Sequence, residues 1–407
     1  MLRPNHLLNL VVAASLMLSA CNSLEIAPRP QVQAIPEQEQ PTKTLPAPTP
    51  GPTTTPQPTE PPQFFPIRLA WFYKPPADGD FGLIARNFNF YIMSKGDEPE
   101  RDSLIALGAP RPVLEYIRFD AIMDPQSCTR DPWQNNVAFY AGDYCNISQQ
   151  HPDWFLIDQF GQRYYRDTSG ERFVLMDPGN PGWRNFFLER IKQIQDSDPN
   201  WGGVFLDNVD VTFSRREGGD SLPVNYPDES SFQSKVQGFL EFLYKGYFGP
   251  SGRLLFGNII DRRSASEWLS NLAYLDGSMY EGWAIDWPEG YRPVKIWEKH
   301  MDLAERTQAM GKYIILVSQG NQNDFELQEF AFASYLLIDH GKAAFRFANS
   351  QNYNQAWLYD NYSIKLGNAL GTRFRLGKAW RRNFTNGFVQ VNPETHEVHI
   401  QLNELIP

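Results

Sequence analysis

The sequence predicts an α/β fold, a (β/α)8 TIM barrel followed by a small antiparallel β-sheet. Beyond its first 64 residues the chain contains eight short apolar or aromatic runs, most of them separated by segments with helical periodicity. Several of these runs end in polar side chains, as barrel strands do at the face that carries the active site. No glycine-rich phosphate turn follows the first or second run, which disfavours the alternative of an open doubly wound sheet.

The first 21 residues have the pattern of an export signal. Arg3 precedes an apolar stretch over residues 7–18, and the Leu-Ser-Ala-Cys motif at 18–21 matches the bacterial lipobox. The apolar stretch is too short to argue for a retained transmembrane helix. We therefore predict that Cys21 is acylated and becomes the new N-terminus. The lipid would tether the protein on the outer side of a bacterial membrane, at the cell surface or in the periplasm.

A spacer and two folded segments are predicted after the signal. Residues 22–64 are rich in Pro, Thr and Gln and contain too little apolar surface to form a core. Prolines favour an extended chain, so this segment is expected to be a disordered, semi-rigid spacer. The barrel is then predicted over residues 65–350 and a C-terminal extension over residues 351–407. The extension contains strand patterns and an Asn-Gly turn at 386–387, which predict a small antiparallel sheet packed on the barrel.

Composition narrows the classes of partner and cofactor. The net charge of -10 disfavours nucleic acid and anionic lipid, which bind basic surfaces, and favours neutral or basic substrates. The histidines are scattered, and no metal-binding, nucleophile-elbow or phosphate-loop motif is present, so no cofactor or metal is predicted. Cys128 and Cys145 lie in one loop of an exported chain, a setting that favours a disulfide. We expect a monomer.

The predicted elements follow one another along the barrel. Strands are expected at residues 67–73, 88–93, 112–117, 203–207, 254–260, 275–281, 313–318 and 343–347. Helices are expected at residues 99–108, 183–197, 231–247, 265–272, 294–310 and 325–339. An excursion of about sixty residues follows the third strand and includes a predicted hairpin that turns at Gly161. Loops of that length are usually functional, so we expect it to form a wall beside the active face.

The fourth strand carries the first candidate for chemistry. Three apolar residues at 204–206 precede Asp207, Asn208 and Asp210. A strand that is buried on both faces and ends in carboxylates is typical of a barrel active site. The alternative is that Asp207 caps a helix or pairs with an arginine, and that Asp210 is a supporting residue or a cap.

A second carboxylate, Glu281, ends the sixth strand. Two acids over one barrel mouth are what glycosidic bond cleavage requires, because one protonates the leaving oxygen while the other attacks the anomeric carbon or activates water. We assign Asp207 as nucleophile or charge stabiliser and Glu281 as general acid/base. The aromatic neighbours of Glu281 are expected to raise its pKa by desolvation. An ion pair with Arg346 is the alternative for Glu281, and Glu115 competes for the acid role.

Further substrate-binding residues are predicted at the same face, from strand ends and the residues beside them. They are Trp71, Tyr73, Glu115, Asn208, Asp210, Asn258, Tyr280, Trp283, Gln319 and Arg346. Aromatic rings in this set are expected to stack on sugar faces, and the polar groups to bind hydroxyls.

These motifs resemble a known family. Residues 203–210, 175–184, 280–282 and 382–393 are similar to the barrels of hypothetical glycosyl hydrolase family 15, which are related to the endo-α-1,4-polygalactosaminidase type. The resemblance covers the chain from about residue 65 onward. It implies a (β/α)8 glycosidase with acids at the fourth and sixth strands, which match Asp207 and Glu281. In the similar α-galactosidase-like clan both acids are aspartates, so Glu281 departs from that pattern.

The leading functional prediction is a lipid-anchored, extracytoplasmic glycoside hydrolase that acts on a polysaccharide or oligosaccharide. The rival is a surface carbohydrate-binding lipoprotein whose barrel has no catalytic activity. Both share the signal, the spacer and the aromatic residues, and they differ in whether the two acids face each other across one cleft. A purely structural lipoprotein gives no reason for so many polar strand ends.

Overall fold

The computed structural model describes residues 66–209, 212–213, 222–259, 265–286, 290–349 and 351–403. These residues lie within one compact unit, Pro58–Pro407. The predicted signal, the predicted lipidation site Cys21, the predicted spacer and the candidate Asp210 lie outside the described residues. Within the described ranges, no helix combines the length and apolarity needed to cross a bilayer.

Eight parallel strands form the central sheet. They are β1 (Ala70–Phe72), β2 (Phe90–Ser94), β3 (Val113–Arg118), β4 (Trp201–Val209), β5 (Leu254–Ile259), β6 (Gly277–Glu281), β7 (Tyr313–Gln319) and β8 (Ala343–Ala348). Each strand pairs in parallel with the next one along the chain, and a bridge between Leu69 and Phe345 joins the two ends of the sheet. The predicted strands and the nearly closed barrel are confirmed.

In the described part of the chain, seven helices, one after each strand from β1 to β7, form the outer layer. They are α1 (Phe81–Asn87), α2 (Glu98–Ala106), α3 (Pro181–Ser197), α4 (Glu229–Leu243), α5 (Ala265–Asn271), α6 (Val294–Ala309) and α7 (Phe325–Ile338). Six of them correspond to the predicted helices. The helix α1 was not predicted, because its seven residues give too short a periodic signal.

Alternation along the strands separates the barrel interior from the helical layer. The interior cluster consists of Ala70, Phe72, Ile92, Leu114, Phe205, Phe256, Met279, Ile315, Val317 and Ala344. Residues between these positions belong to the larger core under the helices. Gly277 makes room for Phe256, since a Cβ at that position would lie 2.4 Å from the phenylalanine ring. Because successive side chains point to opposite faces of the sheet, only every second residue of a regular strand points into the barrel interior.

Residues 119–180 form the predicted excursion after β3. Three antiparallel strands, in the order Ala121–Asp124, Glu171–Leu175 and Tyr165–Thr168, make a small sheet that the sequence did not reveal. The predicted hairpin turns where the amide of Gly161 donates to the carbonyl of Asp158. Cys128 and Cys145 form a disulfide with a Cα–Cα distance of 5.7 Å, which joins a loop to the helix Asp143–Gln150.

The C-terminal segment forms a separate antiparallel sheet. Its strands, Phe374–Leu376, Ala379–Phe384, Gly387–Val391 and Val398–Leu402, pair in sequence order. The first of them is short and exposed and was not predicted. The sheet packs against α7, where Val389 and Val391 join the main core.

Candidate active site

The C-terminal ends of β4, β5 and β6 place two carboxylates in one cavity. The side-chain amide nitrogen of Asn258 donates one hydrogen bond to Oδ1 of Asp207, at 3.0 Å, and another to Oε2 of Glu281, at 3.1 Å. The cavity has a volume of about 120 Å³. Its other described lining residues are Phe72, Tyr73, Tyr116, Phe205, Asn208, Met279 and Tyr353.

The shared amide sets the distance between the acids. Hydrogen bonds of 3.0 and 3.1 Å to one nitrogen limit the gap between the two carboxylate oxygens to 6.1 Å or less. Both acids can therefore contact the same atom or neighbouring atoms of one small ligand.

Tyr116 supports Asp207 from the adjacent strand β3. Its hydroxyl donates to Oδ2 of Asp207, so each oxygen of this carboxylate accepts one hydrogen bond. Burial, together with the negative charge of Asp207, raises the pKa of Tyr116 well above its ordinary value. The phenol therefore stays protonated and continues to act as a donor, and the plane of the Asp207 carboxylate is fixed by two strands of the barrel.

Tyr353 supports Glu281 from a loop beyond β8. Its hydroxyl donates to Oε1 of Glu281 at 3.0 Å and accepts a hydrogen bond from the amide of Gln319. Burial, together with the charge of Glu281, raises the pKa of Tyr353 well above its ordinary value, so this phenol also remains a donor. The fully buried Arg346 holds the loop, because its guanidinium donates to the carbonyls of Tyr353, at 2.9 Å, and Gln355.

A local irregularity in β4 brings Asn208 beside Asp207. The pairing of β4 with β5 shifts register between Leu206 and Val209, and Asn208 has a left-handed backbone with φ 61°. Asparagine tolerates this conformation better than most residues. Its side-chain amide donates to Asp120 at 3.3 Å. The irregularity explains how two consecutive residues, 207 and 208, both line the cavity.

Glu115 and Trp71 do not lie in the cavity, and both predictions are corrected by strand alternation. Glu115 lies between two inward-facing positions of β3, is fully buried, and accepts a hydrogen bond from Gln195 of α3 at 2.9 Å. Burial raises the pKa of Glu115 to about 8. Trp71 faces the helical layer, where its ring meets Phe88 edge-on at 5.0 Å.

The two aromatic residues expected to desolvate Glu281 also lie outside the cavity. Tyr280 faces outward from β6, and its ring centroid is 5.5 Å from that of Trp268. Trp283 is fully buried and donates through Nε1 to the carbonyl of Ala331 at 3.1 Å. Among the described aromatic residues, Tyr353 contacts the Glu281 carboxylate, through its hydroxyl.

Arg346 and Gln319 do not line the cavity but contact Tyr353, which does. Arg346 donates to backbone carbonyls, and the described part of the chain contains no ion pair between Arg346 and Glu281, so the alternative for Glu281 is corrected. Arg346 is also buried and does not line the cavity, which corrects the prediction that it binds substrate. Burial lowers the pKa of Arg346 to about 10. Gln319 contacts the Tyr353 hydroxyl. Both residues are placed to hold Tyr353.

Sequence reasoning missed Tyr116 and Tyr353. The first could have been found, because Tyr116 lies two residues after the inward-facing Leu114 and therefore shares its face, whereas Glu115 cannot. The second follows the last barrel strand in a loop, where no periodic pattern indicates which side chain turns back into the barrel.

Comparisons with solved structures found weak similarity to two enzymes that act on carbohydrates. No curated protein matches the chain in sequence. The glycoside hydrolase domain of PelA from Pseudomonas aeruginosa is 13% identical, with a TM-score of 0.46, over 72% of this chain and 97% of that one. The α-galactosidase TtGalA from Thermus thermophilus is 12% identical, with a TM-score of 0.44, over 83% of this chain and 68% of that one.

The family comparison covers most of the barrel and part of the C-terminal sheet. The model of hypothetical glycosyl hydrolase family 15 matches residues 112–388, about two thirds of the chain. The matched range includes both acids of the cavity, the shared Asn258 and the supporting Tyr116 and Tyr353. The resemblance drawn from the sequence motifs is confirmed: the chain belongs to hypothetical glycosyl hydrolase family 15, and its enzyme class is that of a glycoside hydrolase.

Proposed function

We propose that this protein cleaves a polysaccharide outside the cytoplasm by a two-carboxylate mechanism. In this proposal Asp207 is the nucleophile or charge stabiliser and Glu281 is the general acid/base. The observation that carries the proposal is the single amide of Asn258, which hydrogen-bonds both acids at the end of the barrel where such enzymes react. A glycosidic bond placed over this amide would have one acid on each side.

The separation of the acids favours retention of anomeric configuration. The two oxygens that share the Asn258 amide are at most 6.1 Å apart, which is below the roughly 6.5–9.5 Å at which inverting enzymes leave room for a water between their acids. In the first step Glu281 protonates the leaving oxygen while Asp207 bonds to the anomeric carbon. In the second step Glu281 takes a proton from water, the water oxygen bonds to that carbon, and Asp207 is released.

The charge of the cavity favours a neutral or basic sugar. Among the described residues that line it, Asp207 and Glu281 are the only acidic side chains, and none is a histidine, lysine or arginine. A uronic acid would place a further negative charge beside them, which costs free energy in a partly desolvated site. The ring of Tyr73, a residue that is 38% exposed, offers apolar surface for sugar C–H groups. Amino sugars fit this combination.

The site of action is proposed from the lipobox. A chain acylated at Cys21 would be held at the membrane while the spacer of residues 22–64 separates the barrel from the surface. Expression with radiolabelled palmitate should label the wild-type chain and leave Cys21→Ser unlabelled and released into the soluble fraction. Equal labelling of both chains would refute the anchor.

The catalytic proposal is tested with the full chain and a panel of bacterial exopolysaccharides, with new reducing ends as the readout. We expect the wild type to cleave at least one polysaccharide, and Asp207→Asn and Glu281→Gln to lose about a thousandfold or more in rate with an unchanged thermal midpoint. Glu115→Gln is the matched control, because it alters a buried carboxyl group outside the cavity. Unchanged turnover by Asp207→Asn would remove that residue from the mechanism. Binding without turnover by the wild type would favour the non-catalytic carbohydrate-binding protein.

Azide distinguishes the roles of the two acids. In Glu281→Ala, azide should intercept the covalent intermediate and give a glycosyl azide of retained configuration. In Asp207→Ala, azide should occupy the space of the lost carboxylate and give a product of inverted configuration. Proton NMR of the products reads the configuration. The opposite pairing would exchange the two assignments, and an inverted first product from the wild type would refute retention.

A further inference from the structure

Tyr73 is the third tyrosine of the cavity, and its backbone is the least ordinary. It directly follows β1 and has a left-handed φ of 67°, a conformation that a bulky residue rarely adopts. Such strained residues concentrate at functional sites, where the surrounding structure holds them in place. The ring lines the cavity and meets the rings of Tyr116 and Tyr353 edge-on, at centroid distances of 5.7 and 6.3 Å.

The hydroxyl of Tyr73 differs from the other two in its hydrogen bonding. Tyr116 donates to Asp207, and Tyr353 donates to Glu281. No described residue hydrogen-bonds the hydroxyl of Tyr73, and this residue, which lines the cavity, is 38% exposed. Two of the three phenols are therefore committed to the acids, and the third has a donor available for a ligand.

Both acids act electrostatically on Tyr73. Desolvation is the largest cause of its raised pKa, and the negative charges of Asp207 and Glu281 raise it further. The hydroxyl therefore remains protonated over the range in which glycosidases work. Tyr73 lines the same cavity as both carboxylates, so a sugar bound between the two acids would lie beside its side chain.

We propose that the hydroxyl of Tyr73 donates a hydrogen bond to an oxygen of the sugar bound between Asp207 and Glu281, and so helps to select that sugar. This inference rests on the proposed function and names the residue that contacts the substrate. The acceptor is a sugar hydroxyl, a ring oxygen or the carbonyl of an N-acetyl group. A sugar without an acceptor at this position would leave the phenol unpaired in a partly desolvated site.

The test compares Tyr73→Phe with two control variants on the polysaccharide that the wild type cleaves fastest. We expect Tyr73→Phe to lower kcat/KM about tenfold, with the pH optimum unchanged and the thermal midpoint within about 1 °C of wild type, because the ring contacts remain. Tyr353→Phe should instead move the pH profile. Tyr91→Phe removes a buried hydroxyl that donates to the carbonyls of Ile84 and Phe88 outside the cavity, and should lower stability without changing kcat/KM.

A binding arm separates this inference from the catalytic proposal. Affinity electrophoresis in gels that contain each polysaccharide of the panel measures the binding of Asp207→Asn, with and without Tyr73→Phe. The double variant should show a dissociation constant about tenfold higher. If the wild type cleaves nothing but binds, the catalytic proposal fails while this weakening still supports Tyr73. Unchanged kinetics and equal retention, or a panel that is neither cleaved nor bound, would overturn the inference.

Discussion

An acid on the inner face of the barrel and an acid on its outer face have different surroundings. Asp207 and Glu115 occupy neighbouring strands, and the sequence marks both as candidates for chemistry. Asp207 faces the interior, borders a cavity and receives hydrogen bonds from Tyr116 and Asn258. Glu115 faces α3, is fully enclosed and receives one described hydrogen bond, from Gln195. The face of the strand, and not its end, determines which acid can meet a substrate.

The same contrast explains the support around each acid. On the inner face, neutral donors with strongly raised pKa values surround the carboxylates, so charge can develop there without a competing titration. On the outer face, burial with a single partner makes ionisation costly, and the pKa of Glu115 rises to about 8. An acid in the outer layer is therefore expected to be neutral at pH 7 and to affect stability rather than turnover.

The largest expected effect concerns Glu115 and the pH dependence of stability. Its pKa of about 8 in the folded chain lies above the ordinary 4.5, so its contribution to stability is complete below pH 4.5 and is lost as the pH rises to about 8. The loss amounts to several kcal/mol, about 5 at most. Glu115→Gln keeps a neutral partner for Gln195 and should lose this dependence. Urea unfolding at pH 5 and pH 8 measures it, and an equal difference between variant and wild type at both pH values would contradict the argument.

The next effect concerns the bridge between the acids. Asn258→Ala removes the donor that, among the described residues, both carboxylates share. We expect kcat/KM to fall about a hundredfold, equivalent to about 2.7 kcal/mol of transition-state stabilisation. Ser278→Ala is the control from the outer face, because it removes a buried hydroxyl that donates to the carbonyl of Gly257. Equal losses in the two variants would show that the effect is structural and not specific to the cavity.

A smaller effect concerns the phenol beside Glu281. A hydrogen bond donated to a carboxylate stabilises its charged form, so Tyr353→Phe should raise the pKa of the general acid. We expect the basic limb of the kcat/KM profile to move upward by about one pH unit, equivalent to about 1.4 kcal/mol. Tyr116→Phe, which leaves the hydrogen bond from Tyr353 to Glu281 in place, should leave the basic limb unchanged. A shift of the same limb in both variants would contradict the division of roles.

The fold could be predicted from sequence to a greater extent than the site. Eight strands and six helices follow from apolar periodicity, because a barrel repeats one simple unit. The positions of Asp207, Asn258 and Glu281 follow from the rule that strand ends carry the chemistry. That rule alone also selected Glu115, Trp71 and Tyr280, since it ignores which face each residue occupies. Tyr353 could not be predicted, because its return to the cavity depends on a loop held by a buried arginine through backbone carbonyls.

The smallest expected effect concerns Gln319, where sequence and structure give different roles. The sequence places it at a strand end as a ligand for substrate, whereas in the structure its amide donates to the Tyr353 hydroxyl. Gln319→Leu should therefore act through Tyr353 and move the basic limb in the same direction as Tyr353→Phe. One further hydrogen bond in a chain strengthens its neighbour by roughly 10–30%, so we expect a shift of about 0.1–0.3 pH unit with KM unchanged. Combining Gln319→Leu with Tyr353→Phe should add nothing to the shift of Tyr353→Phe alone, because phenylalanine lacks the hydroxyl through which Gln319 affects Glu281. A raised KM without a shift would instead show that Gln319 binds the sugar directly.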